Sequence, residues 1–94
     1  MPEDRISVDD PEKDYRTITD NTMRALCDRQ RNREYLVQVN IDEIWQERLR
    51  AYHDRQLLIR NLQRFQNESN FIQLSDRSII LTESGRQHCI DNRL

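Results

Sequence analysis

A single glycine, Gly85, and two prolines, Pro2 and Pro11, in 94 residues leave few places where the backbone is made to break. So few chain-breakers favour long helices, because these two residue types most readily interrupt a helix. The same scarcity excludes collagen-like, low-complexity and loop-dominated chains, and one glycine cannot build a glycine-rich phosphate loop. A chain of this length forms one small domain, which buries roughly 65% of its unfolded surface on folding. With 35% hydrophobic and 34% charged residues, the apolar side chains must be clustered to make such a core. They are.

The net charge of −2 averages two unlike parts. Residues 1–20 hold seven acids against Arg5, Lys13 and Arg16, a net of −4, which leaves residues 21–94 at +2. Lys13 is the one lysine among 15 basic residues; the rest are arginines, whose planar fork suits phosphate or carboxylate recognition. A pI near 5.6 argues against nucleic-acid binding for the chain as a whole but not for its basic part. No apolar run approaches a membrane span and no signal-peptide pattern opens the chain, so the expectation is a soluble, cytoplasmic protein with no membrane contact.

Cys27 and Cys89 lie 62 positions apart, and two reduced, partly buried thiols are the expected state, although a disulfide is compatible with the sequence. His88 and Cys89 are helix neighbours that point apart, so they make no nucleophile and base. Cys27, His53, His88 and Cys89 are spaced more loosely than structural zinc ligands. No catalytic residue, cofactor or metal ligand set is expected, and the chain is read as a non-enzyme.

Residues 1–16 read as an acidic, flexible arm and 17–94 as the folded domain. Thr19 is a fair N-cap, stapled by Ile18 and Met23, for a first helix at about 20–31. Tyr35–Val39 has strand character. Asn40-Ile41-Asp42-Glu43 reads as a capping box for a helix at about 41–51, with the asparagine bonding the amide at Glu43. Asp54 caps a third helix at about 54–67, with Leu57, Leu58, Leu62 and Phe65 on its apolar stripe. Two short runs, 71–74 and 78–81, flank the turn residues Ser75-Asp76-Arg77 as a hairpin. A terminal helix follows at about 83–91. On the third helix Gln56, Arg60, Gln63, Arg64 and Asn67 share one arc with no acid among them, a pattern that a simple solvated face also satisfies.

This order, and in particular Ile41-Asp42-Glu43-Ile44 after a short strand and Ile80-Leu81-Thr82-Glu83-Ser84-Gly85-Arg86 after the hairpin, resembles a winged-helix domain over about residues 18–92. The second motif is similar to the segment that closes the wing in small bacterial and archaeal regulators of the MarR and PadR-like type. The fold implied is α+β, mostly helical: α-β-α-α-β-β plus a short C-terminal helix. The chain departs from the pattern: the connection between helices 2 and 3 has no glycine and is about two residues long, helix 3 is long, the wing is short with Arg77 as its one base, and the chain is too short to supply in full the dimerisation helices of MarR proteins.

The resemblance implies a transcription regulator that lays helix 3 in the major groove of double-stranded DNA and touches the backbone with the wing. Arg60 would then meet guanine, Gln56 or Gln63 adenine, and Arg55, Arg64 and Arg77 phosphates, with His53 and Asn67 flanking the contact. So few phosphate contacts per copy imply a homodimer. The competing reading is a winged-helix protein-interaction module without DNA binding, in which the Arg/Gln face meets an acidic partner and Tyr15, Tyr35 or Trp45 anchors an interface. In that reading Trp45 has a plainer role as core beneath the hairpin.

Overall fold

The computed structural model describes residues 11–93, and over that span α1 runs Pro11–Gln30, starting nine residues before the expected 20. Residues 11–16 are therefore helix, not arm; the remainder of the expected arm, residues 1–10, lies outside the described residues. Pro11 suits a first helical turn, where its missing N–H has no intrahelical partner to lose, and Glu12 and Asp14 sit favourably at the positive end of the helix. Thr19 is not a cap. It is buried in mid-helix, its hydroxyl donating to the Arg16 carbonyl at 3.3 Å.

What holds the early turns down is tertiary. Asp14 is buried and accepts a hydrogen bond from the Tyr52 hydroxyl at 3.4 Å, and Ile18, Leu26 and Cys27 continue the same inward stripe. Burial pushes the Tyr52 hydroxyl above its ordinary pKa, the Asp14 carboxylate adds to the rise, and a Thr17 hydrogen bond opposes it. The folded state thus favours neutral tyrosine. Stability from this group is complete below about pH 10 and falls as pH rises through the folded value. Urea melts at about pH 8 and about pH 11 should show a loss that Tyr52→Phe reduces; an equal loss in the variant would remove Tyr52 from the account.

After α1 the chain turns through Asn32, at φ 66°. The buried Gln30 side chain organises this turn: its Nε2 donates to the Arg33 and Tyr35 carbonyls, and its Oε1 accepts from the Val37 amide. Capture of that backbone delays the strand. Instead of spanning 35–39, β1 covers Gln38–Asn40, and Tyr35 is left 65% exposed.

Helix α2 (Ile41–Arg48) is capped by Asn40, whose side chain accepts from the Asp42 amide at 2.8 Å. The expected reciprocal box does not form, because Glu43 turns to Arg29 instead, at 3.7 Å. α2 also ends three residues early, since Leu49 and Tyr52 leave helical geometry to enter the core. Six residues, 49–54, therefore join α2 to α3 where two were expected. Trp45 is half-buried, and its N–H reaches across this connection to the Tyr52 carbonyl at 2.7 Å.

Helix α3 (Arg55–Ser69) starts from Asp54, whose carboxylate accepts from the Gln56 and Leu57 amides. It stops at Asn70, in left-handed geometry at φ 63°, which asparagine tolerates better than most residues. Strands β2 (Ile72–Ser75) and β3 (Ser78–Leu81) then form the hairpin, with Asp76 at φ 58° in its two-residue turn. Helix α4 (Glu83–Asn92) is capped by Thr82.

The sheet is antiparallel in the order β1-β3-β2, with Val39 opposite Ile79 and Ile72 opposite Leu81. Those four residues face inward and close one core with Ile18, Leu26, Ile44, Leu49, Leu58 and Leu62. The fold is mixed α+β and mostly helical, four helices on a three-stranded sheet among the described residues.

Cys27 and Cys89 are joined as a disulfide between α1 and α4, with Cα atoms 5.6 Å apart. The two reduced thiols expected from the sequence do not exist here, and the loose zinc set loses both its sulfur ligands to each other. Disulfides are rare in a reducing cytoplasm, so the bond stands in tension with the cytoplasmic expectation. Among the described residues no helix is long and apolar enough to cross a membrane.

Candidate nucleic-acid interface

Leu58 and Leu62 are each 1% exposed and root α3 in the core, which fixes the side that faces outward. Gln56, Arg60, Gln63 and Asn67 are all exposed. Their spacing of i, i+4, i+7 and i+11 sets them in one stripe roughly 16 Å long. Arg60 lies along that stripe with its Nε donating to the Gln56 carbonyl at 3.4 Å. These four expected contact residues are brought together.

The other two α3 arginines are committed elsewhere. Arg55 is ion-paired with Asp42 and lies over the Trp45 ring, 5.0 Å from its centroid. Arg64 bonds Glu12 at 2.8 Å and Glu68 at 2.9 Å, and its guanidinium sits 3.8 Å from the centroid of the Tyr15 ring. The hydrogen bonds that Arg64 donates to Glu12 and Glu68 raise its pKa further above the ordinary value, and the one to Glu68 in turn lowers that of the Glu68 carboxyl. Glu12, in the first turn of α1, thus pairs one arginine of α3.

His53 is exposed on the connection between α2 and α3, and Arg77 is exposed at the hairpin turn. At that turn the Arg77 carbonyl accepts the Ile41 amide at 2.8 Å, which ties the hairpin to the start of α2. Sequence reasoning passed over Arg48 and Arg50. Both are exposed; Arg48 is the last residue of α2, and Arg50 lies on the connection that the sequence places inside helix 2.

Of the three aromatics named as interface anchors, Tyr15 donates to Glu68 at 3.1 Å beneath Arg64, and Trp45 is half-buried under Arg55. Tyr35 alone of the three is mostly exposed. His88 stacks on Phe71 with ring centroids 4.3 Å apart. Among the described residues, no group of three or more His, Cys, Asp or Glu side chains is placed to hold a metal ion. Comparison with protein-family models, curated proteins and solved structures finds no match to this chain.

Proposed function

We propose that this chain is a winged-helix DNA-binding protein that presents the α3 stripe to the major groove. The observation that carries the reading is the convergence of Gln56, Arg60, Gln63 and Asn67 on one exposed, core-anchored helix face. Support comes also from the element order α1-β1-α2-α3-β2-β3-α4, which follows the order the resemblance implies.

In this reading Arg60 forks onto guanine O6 and N7, and Gln56 or Gln63 pairs with adenine N6 and N7. Arg50, His53 and Arg77 meet phosphates and contribute affinity without sequence information. Arg64 joins them only after leaving Glu12 and Glu68. The small number of phosphate contacts makes two copies on a two-fold site the working form.

Fluorescence anisotropy with labelled random duplex, at about 50 mM and about 200 mM salt, tests the reading. The full chain should bind with strong salt dependence. Glu12→Gln, which frees Arg64 from one partner, should tighten non-specific binding, and Arg60→Ala should weaken the best selected site by about tenfold. Absence of duplex binding at the lower salt overturns the proposal. That result would favour the protein-interaction alternative.

A further inference from the structure

The sheet has two outer edges, and they end differently. At the β2 edge the Leu74 amide, which points away from β3, is taken by the Gln66 side chain of α3 at 2.6 Å. At the β1 edge no such plug is present among the described residues. There the Val37 carbonyl accepts from the Leu81 amide and the Ile41 amide donates to the Arg77 carbonyl, with Val39 opposite Ile79 between them. Strand alternation therefore turns the Gln38 amide and carbonyl and the Asn40 amide away from β3. Among the described residues no hydrogen bond reaches any of the three. The Gln30 side chain holds the Tyr35 carbonyl and the Val37 amide, so the outward row continues back to the Leu36 carbonyl.

An open edge is a template for another strand, and proteins often keep such edges short to discourage pairing. β1 is short, at three residues. What lies beside it favours pairing nonetheless. A groove of about 470 Å³ follows this edge, and its lining includes Arg33, Tyr35, Leu36, Gln38 and Glu43. Tyr35 is 65% exposed, and Arg33, which donates to the Tyr35 hydroxyl at 3.0 Å, has no carboxylate partner among the described residues. Glu43 meets Arg29 only at 3.7 Å, while Arg29 itself is held by Glu47. A cation thus precedes the strand and an anion follows it, at equal sequence distance from Gln38.

We propose that β1 pairs antiparallel with β1 of a second copy of this chain, about a two-fold axis at Gln38. A two-fold reverses the ends, so the Arg33 end of each copy meets the Glu43 end of the other. Each Gln38 amide donates to the Gln38 carbonyl of the second copy and each Asn40 amide to its Leu36 carbonyl, and Tyr35 is carried into the seam. The two sheets become one. Because α3 plugs the opposite edge, both α3 stripes stay uncovered. This surface suits the two-copy form of the DNA reading, yet it stands on the edge geometry without that reading.

Sedimentation equilibrium of the full, oxidised chain without DNA, from about 1 to about 200 µM, is the test. A short strand pair with one aromatic anchor is a small interface, so the dimer should dissociate with a constant on the order of 10 µM. Gln38→Pro deletes the outward amide but no bond to β3, and should raise that constant at least about tenfold while circular dichroism shows the fold intact. Arg33→Glu and Glu43→Arg should each weaken the dimer, and their equimolar mixture should restore it, because the two charge patterns then match across the axis. That rescue decides the matter should Gln38→Pro fail to fold. A monomer throughout the range overturns the proposal and leaves the edge to a foreign strand. So does a dimer that neither Gln38→Pro nor the charge variants weaken, since it would use another surface. A dimer that these variants weaken, in a chain that binds no duplex, supports the proposal and removes the DNA reading alone.

Discussion

Reducing the Cys27–Cys89 bond should lower the thermal midpoint by about 15–25 °C. The bond closes a loop across 62 positions, from α1 near the start of the described fold to α4 near its end. Loop-closure entropy at that length amounts to about 4 kcal/mol in the chain-entropy account. A domain this small has roughly 5–10 kcal/mol of total stability, so the bond is comparable with the whole margin. Each kcal/mol moves the midpoint of such a domain by about 4–8 °C. Native-state relaxation reduces the figure, since α4 is also held by Thr82 and by close packing at Gly85. Melts followed by circular dichroism, with and without a phosphine reductant and on a Cys27→Ala/Cys89→Ala variant, give the measurement. A shift below about 5 °C in both would mean that the bond contributes little to folding.

That bond also marks a boundary of what the sequence discloses. Two cysteines with no motif around them carry no pairing information, because their proximity depends on how α4 returns across α1. Local chemistry was far more legible. Asp54 caps the helix that follows it, Leu58 and Leu62 are buried at helical spacing, and the run 78–81 is a strand that buries Ile79 and Leu81. The element order follows from such near-neighbour signals. Boundaries failed where a distant partner decides them. Asp14 reads as a solvated arm residue until Tyr52, 38 positions away, covers it. Tyr35 and Val37 read as strand until the Gln30 side chain takes their backbone groups.

The candidate interface divides in the same way. Which α3 residues face outward was readable from periodicity, and Gln56, Arg60, Gln63 and Asn67 stand where it puts them. Which arginines are available was not. Glu12 reaches Arg64 only because α1 extends nine residues further back, and Asp42 reaches Arg55 only because the connection from α2 folds beneath it. Periodicity gives a side chain's direction; its partners come from the tertiary fold.

Gly85→Ala should destabilise the protein by about 1–3 kcal/mol, although a helix position ordinarily prefers alanine. Gly85 lies in the first turn of α4, and its backbone is ordinary helix rather than left-handed, so conformational freedom does not explain it. Space does. A Cβ there would run into the Phe71 carbonyl oxygen and come within 2.7 Å of Leu81 Cδ1. Neither yields easily. The Phe71 carbonyl accepts the Thr82 amide at 3.0 Å, directly before β2, and Leu81 is fully buried. Moving α4 outward would stretch the bond from the Gly85 amide to the Thr82 hydroxyl, 3.0 Å long, and pull on the disulfide at Cys89. Helix propensity returns about 1 kcal/mol to alanine, so the observed loss is the steric cost less that gain. Ser84→Ala at the neighbouring exposed position supplies the control, since there propensity acts without the clash and the midpoint should hold or rise slightly. A Gly85→Ala midpoint at or above that of the parent would show that α4 does not sit this closely against the Phe71 carbonyl.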